Sequence, residues 1–154
     1  MAASEAPTAE TIALAEESLR RCASDAFFQA FYKRLLKSDA ATRAKFAQTD
    51  FERQNKLLQH GLGLLFTFAK RRNPALLERI AMRHSKADLD IPPAHYAHFE
   101  ESLVLTVREF DPHCSAEVED AWHRSIAPGI AFMAAQHALD TPPRAADNAT
   151  ASGG

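Results

Sequence analysis

Glycine is scarce in this chain: there are five in 154 residues, and two of them are the C-terminal pair Gly153-Gly154. The β-branched residues are scattered rather than alternating, so the sequence lacks both the turns and the two-residue period of a sheet protein. Cysteine is rarer still. Cys22 and Cys114 stand far apart with no CxxC or Cys/His spacing, which implies neither a disulfide framework nor a structural zinc site. Both read as packing or surface thiols. Charge of one sign is lacking too: the formal net charge is -2 with 25% charged residues, leaving no basic surplus to attract nucleic acid or an anionic membrane. The longest apolar run, near Gly61 to Ala69, falls well short of the roughly 20 residues needed to cross a bilayer. A small, neutral or internal partner is expected instead. Met1 to Glu10 has neither the basic start nor the apolar stretch of a signal peptide, which sets the expectation of a cytoplasmic protein. There is no glycine-rich phosphate loop, HExxH, nucleophile elbow or pair of closely spaced histidines on one helix face, so most enzyme classes have no foothold.

What is present is helical periodicity. The length and the 46% hydrophobic content suit one compact all-α domain. It is expected over residues 8–140, between a flexible N-terminus at 1–7 and a disordered tail at 141–154 rich in Pro, Ala, Asn, Ser and Gly. A first helix is predicted over Thr8 to Arg21, and a second, capped by Ser24, carries Phe27, Phe28, Phe31, Tyr32, Leu35 and Leu36 at i, i+3, i+4 spacing. A short corner, Ala40 to Gln48, holds Phe46. Thr49-Asp50 then opens a long helix whose wide face runs Phe51, Gln54, Leu57, Leu58, Gly61, Leu64, Leu65 and Phe68. Lys70-Arg71-Arg72 closes it, and Asn73-Pro74 restarts the chain into a short helix over Ala75 to His84. After a loop at Asp88 to Pro93, two longer helices are predicted over Ala94 to Phe110 and Ser115 to Leu139, the latter kinked or locally unwound at Pro128-Gly129.

Two positions break the pattern. Of seven histidines, only His84 has a short apolar helix before it and a loop after it, with Leu76, Leu77, Ile80 and Ala81 at helical spacing. An inward imidazole there suits a core histidine bonded to a backbone carbonyl, an exposed cation at a helix end, or an axial haem ligand. Gln54 is a polar residue within an apolar stripe. Left unpaired it would cost about 1 to 3 kcal/mol, so it needs a partner, either protein or ligand.

The order and spacing of several motifs resemble the globin family, in particular bacterial haemoglobins related to flavohaemoglobin globin domains. Phe31-Tyr32-Lys33-Arg34-Leu35-Leu36 resembles the B-helix stretch whose tyrosine points into the distal haem pocket, and Phe46 falls at the corner phenylalanine that packs on the porphyrin. Gln54 and Leu58 resemble the distal glutamine and leucine of the E helix. Ile80-Ala81-Met82-Arg83-His84 is similar to the end of the proximal-histidine helix, Pro93-Ala94-His95-Tyr96 to the start of the G helix, and Asp120-Ala121-Trp122 to a signature early in the last helix. The likeness covers about residues 10 to 139. It implies a globin fold with helices A-B-(C)-E-F-G-H around one haem b, His84 as the metal ligand, Phe46, Leu58, Ile80 and Tyr96 against the cofactor, and Tyr32 and Gln54 facing a diatomic ligand. Taken alone, Phe46 also suits ordinary core, and Tyr32 a core edge with its hydroxyl on the backbone. His60, the rival distal residue, lies about 240° around the helix from Gln54 and reads as solvated or supporting.

The resemblance implies binding of O2, CO or NO, with Tyr32 and Gln54 donating hydrogen bonds to the gas and giving high oxygen affinity. It also exposes a departure. Flavohaemoglobin-like globins couple the proximal histidine to a G-helix tyrosine, matched by Tyr96, and to a glutamate late in the last helix, where this chain has Gln136 or His137. The 15 residues after Leu139 are too few for a flavin or nicotinamide site, so an external reductase is expected for sustained turnover. Three functions fit: an O2-binding haem protein for storage, delivery or sensing; a nitric-oxide dioxygenase or peroxidase-like enzyme with an external reductant; or a haem-free globin-like signalling module. Exposed helix faces leave room for a homodimer.

Overall fold

The computed structural model describes residues 6–84 and 93–139, and within them the chain is all-α. Seven α-helices follow in order: α1 (Ala9–Cys22), α2 (Asp25–Ser38), α3 (Ala40–Lys45), α4 (Phe51–Arg71), α5 (Glu78–His84), α6 (Pro93–Phe110) and α7 (Ala116–Leu139), with a 3-10 turn at Pro74–Leu76 before α5. No strand occurs among the described residues. The expected loop at Asp88 to Pro93 lies almost wholly outside them, as do the expected tail at 141–154 and most of the N-terminal segment at 1–7.

The helix starts are set by side chains that satisfy backbone amides no helical carbonyl can reach. Thr8 caps α1, Ser24 caps α2 and accepts from the Phe27 amide at 3.1 Å, Asp39 caps α3, and Asp50 caps α4. The long helix ends at Arg72, in the left-handed region with φ 55°. Asn73 then accepts from the Ala75 amide at 3.1 Å. With Pro74 behind it, this winds the first turn of the predicted fifth helix as a 3-10 turn, and the α-helix proper begins only at Glu78.

The last helix is the hub of the packing, since α1, α4, α5 and α6 all lie against α7, while α2 packs on α6 and α3. The core is a cluster of Phe27, Phe31, Phe66, Leu62, Leu103 and Trp122 with their neighbours, all buried. α4 and α5 each rest on α7 and touch each other at most marginally.

A polar tie crosses this core. Trp122 Nε1 donates to Ser18 Oγ at 2.9 Å, and Ser18 donates to Asp111 Oδ2 at 2.6 Å. Arg21 grips the same carboxylate with two bonds of 2.7 and 2.8 Å, and the His113 amide adds a third donor at 2.9 Å. These donors hold the Asp111 carboxyl far below the usual carboxylate range despite its burial, Arg21 contributing most. The corner between α6 and α7 is thereby fastened to α1.

Of the kink or local unwinding expected at Pro128-Gly129, the unwinding does not occur, because α7 runs helical through both residues. Gly129 has another use. A Cβ there would come 2.4 Å from Leu65 Cδ2 and 3.2 Å from Leu77 Cδ1, so the missing side chain lets α4 and the start of α5 close onto α7.

Candidate cofactor site

The aromatic stripe of α2 delivers Tyr32 into the interior, where it is buried. From the first turn of α4, Gln54 Nε2 donates to Tyr32 Oη at 3.1 Å. The polar member of the apolar face therefore has a protein partner. Because the tyrosine oxygen accepts this bond, its own proton remains to be donated elsewhere. Burial pushes the Tyr32 hydroxyl up to about 12, the bond from Gln54 working in the opposite direction without offsetting it. Tyr32 is accordingly a neutral donor at physiological pH.

Phe46, at the end of α3 and half-buried, has its ring centroid 5.6 Å from that of Tyr32. Phe51, at the start of α4, lies 5.3 Å from Tyr32 and stacks with Phe46 at 6.0 Å. Phe51 belongs to this cluster and was not among the site residues read from the sequence. Its signal was available in its position, since it precedes Gln54 by one helical turn. Leu58, the next turn along, is half-buried against the edge of the core, and His60 is exposed.

On another pair of helices, α5 finishes at His84, whose half-buried ring has Nδ1 3.3 Å from Tyr96 Oη on α6. Tyr96 is buried, and burial pushes its hydroxyl up to about 12, so the group beside the imidazole is an uncharged phenol. When Nδ1 carries the proton and Tyr96 accepts it, the lone pair resides on Nε2, the form an imidazole needs to ligate a metal. Ile80, one turn before His84, is half-buried against the core. His137 on α7 is buried and Gln136 is half-buried, so neither late position of the last helix supplies a carboxylate.

The helices that carry the two tyrosines, α2 and α6, meet in the core. Phe31, adjacent to Tyr32 with ring centroids 4.9 Å apart, meets Phe99 across the α2–α6 contact at 5.5 Å. Phe99 lies one turn beyond Tyr96 on α6.

Do these residues suit a haem? The first half of α4 behaves differently from its second half. Leu62, Leu65, Phe66, Phe68 and Ala69 are buried, whereas Leu57 is 51% exposed and Leu58 and Gly61 are only half-buried. A Cβ on Gly61, two turns beyond Gln54 on the same side, would meet nothing within 4 Å. On α5, Met82 is 69% exposed beside the half-buried Ile80. Apolar side chains of the helices bearing Gln54 and His84 are thus incompletely covered by the chain's own packing. The chemistry of the residues, an imidazole on α5 and hydroxyl and amide donors on α2 and α4, is of the kind that suits a flat, apolar, metal-containing ring. No cluster of three or more His, Cys, Asp or Glu able to hold a bare metal ion occurs among the described residues. No helix among them is long and apolar enough to cross a membrane.

Comparison with known proteins follows the same line. The sequence model of the Globin family matches residues 29–131, more than half of the chain. A solved structure from Pseudomonas aeruginosa, of a protein described as structurally highly homologous to a human haemoglobin, is similar with a TM-score of 0.80. The two sequences are 36% identical over 82% of this chain and 98% of that one. A search of the curated proteins returned no match.

Proposed function

The chain belongs to the globin family, and from that premise we propose that it holds haem b through His84 and binds O2 reversibly, with CO and NO as further ligands of the same site. When bound, haem would supply an iron able to take the His84 imidazole and a diatomic gas as ligands. The residues of the chain set the terms. Tyr96, beside Nδ1 of His84, would hold the imidazole ring and leave Nε2 for the metal. Phe46, Leu58 and Ile80 would offer apolar surface to the cofactor and exclude water from it.

The observation that carries this reading is the bond from Gln54 Nε2 to Tyr32 Oη. It fixes the tyrosine in one orientation and leaves its proton to be donated to a bound gas. The second amide hydrogen of Gln54 is a further donor at the same place. Hydrogen bonds to the partial negative charge on oxygen slow its release, so a tight binder is expected rather than a fast shuttle.

Gln136 and His137 stand where flavohaemoglobin-like globins carry the glutamate that strengthens electron donation by the imidazole, which supports reversible binding over peroxidase-like chemistry. The reading is tested by exposing the reduced, haem-loaded protein to O2 and then removing the gas. Reversible spectra support it; rapid, irreversible oxidation at each exposure overturns it in favour of a redox enzyme.

A further inference from the structure

The charges of this near-neutral chain are segregated. Between Lys33 and Arg83 stand twelve lysines and arginines against four aspartates and glutamates, while the rest of the chain has six against sixteen. The basic stretch builds the second half of α2, then α3, α4 and α5. These helices include the site residues Gln54, Leu58, Ile80 and His84. The acidic remainder includes α1, α6 and α7.

Arg43 and Lys45 on α3, Arg53 and Lys56 in the first two turns of α4, and Arg79 on α5 are all exposed. Arg53, Lys56 and His60 share the outer side of α4 at i, i+3, i+7 spacing, with the exposed Leu57 among them. Among the described residues no carboxylate forms an ion pair with Arg53, Lys56 or Arg79, whereas the acidic side neutralises Asp111 with Arg21 and Glu119 with Arg108. The carboxylates of this stretch are Asp39, which caps α3, Asp50, which accepts from the Glu52 and Arg53 amides, Glu52 and Glu78. Exposed cations gathered in this way steer an oppositely charged partner toward them.

We propose that the outer side of α3 and α4, with Arg79 of α5, is the docking surface for a small acidic electron-transfer protein. It rests on the haem reading above. With haem bound, the donor's reduced flavin or iron–sulfur group would give up one electron and ferric iron would take it to become ferrous, any proton change staying with the donor and the solvent. A compact acidic protein fits the charge pattern better than nucleic acid does, since an extended polyanion running past this face would meet the acidic remainder of the surface.

The test uses an acidic flavodoxin. It is titrated, oxidised, into the purified chain by flavin fluorescence at about 0.02 M and about 0.15 M ionic strength, which bracket weak and physiological screening. Its reduced form is then mixed with the ferric haem-loaded chain. Saturable binding that weakens at least tenfold with salt and with Arg53→Glu/Lys56→Glu, but not with Glu117→Lys on α7, supports the proposal, as does a parallel loss in reduction rate. Both altered side chains are exposed, and an unchanged melting curve certifies the fold. No binding, binding indifferent to the double reversal, or equal affinity for a DNA duplex overturns it. Binding by a chain that takes up no haem would leave the docking surface standing and remove the haem reading instead.

Discussion

The amide of Gln54 donates to the hydroxyl of Tyr32 across 3.1 Å, between residues 22 positions apart in sequence and on different helices. The direction of this bond governs the site. It makes the tyrosine a preset donor, and it satisfies a glutamine that would otherwise stand unpaired in an apolar face.

Replacing that donor isolates its effect on gas release. Tyr32→Phe keeps the ring packed against Phe46 and Phe51 and removes only the hydroxyl. Loss of a hydrogen bond to a partly charged ligand, about 1.5 to 3 kcal/mol, corresponds to roughly tenfold to a hundredfold faster oxygen dissociation. Stopped-flow displacement of oxygen by CO reads this directly; CO release, from a less polar ligand, changes far less.

The pH dependence follows from the same burial. With its hydroxyl pushed up to about 12, Tyr32 keeps its proton beyond the value of about 10 at which a free tyrosine ionises. The oxygen dissociation rate is therefore flat from about pH 7 to about pH 10, and a break within that interval contradicts the assignment. For folding the sign is fixed as well. The unfolded chain ionises this tyrosine from about pH 10, so its contribution to stability declines as pH rises from there toward the folded value.

Much of this arrangement was legible in the sequence, and the limits are physical. The capping residues Thr8, Ser24 and Asp50 and the apolar stripe of α2 act over one or two turns, so the order and type of the helices could be read locally. Gln54 announced that it needed a partner, but nothing local said that the partner was Tyr32. Phe51 was visible as an apolar helix residue, and only the fold brings it to the tyrosine. Trp122, Ser18 and Asp111 lie 104 and 93 residues apart along their two bonds, and no periodicity encodes such a pairing. At Pro128-Gly129 the local tendency to unwind is overridden: α7 stays helical where Gly129 meets Leu65 of α4 and Leu77.

The polar tie predicts a stability effect remote from the site. Asp111→Asn removes the charge that Arg21 grips and weakens the acceptor for Ser18. Because the Arg21 side chain is 30% exposed and partly screened, the cost is placed at about 2 to 3 kcal/mol, below that of a fully buried pair. Urea unfolding at neutral pH measures it. The Asp111 carboxyl is depressed in the folded state, so its stabilisation is present above the unfolded value of about 3.9 and is lost as pH falls below it. The variant and the parent should converge in stability on acidification.

At Gly129 the predicted fault is one of excess volume. Gly129→Ala places a methyl group 2.4 Å from Leu65 Cδ2, and overpacking of this kind costs about 1 to 3 kcal/mol. A melting temperature lowered by several degrees is expected. An unchanged one would mean that Leu65 changes rotamer freely and that the close approach of α4 and α7 is not constrained there.

The central claim is that His84 ligates a haem, and the absorption spectrum tests it most directly. The purified chain is supplied with haem, reduced and exposed to CO, beside a His84→Ala variant of the same concentration. The account predicts stoichiometric haem uptake and a sharp Soret shift on adding CO, with the uptake or the shift lost in the variant and restored in part by added imidazole. Failure of the parent to take up haem, or spectra identical in parent and variant, would contradict it.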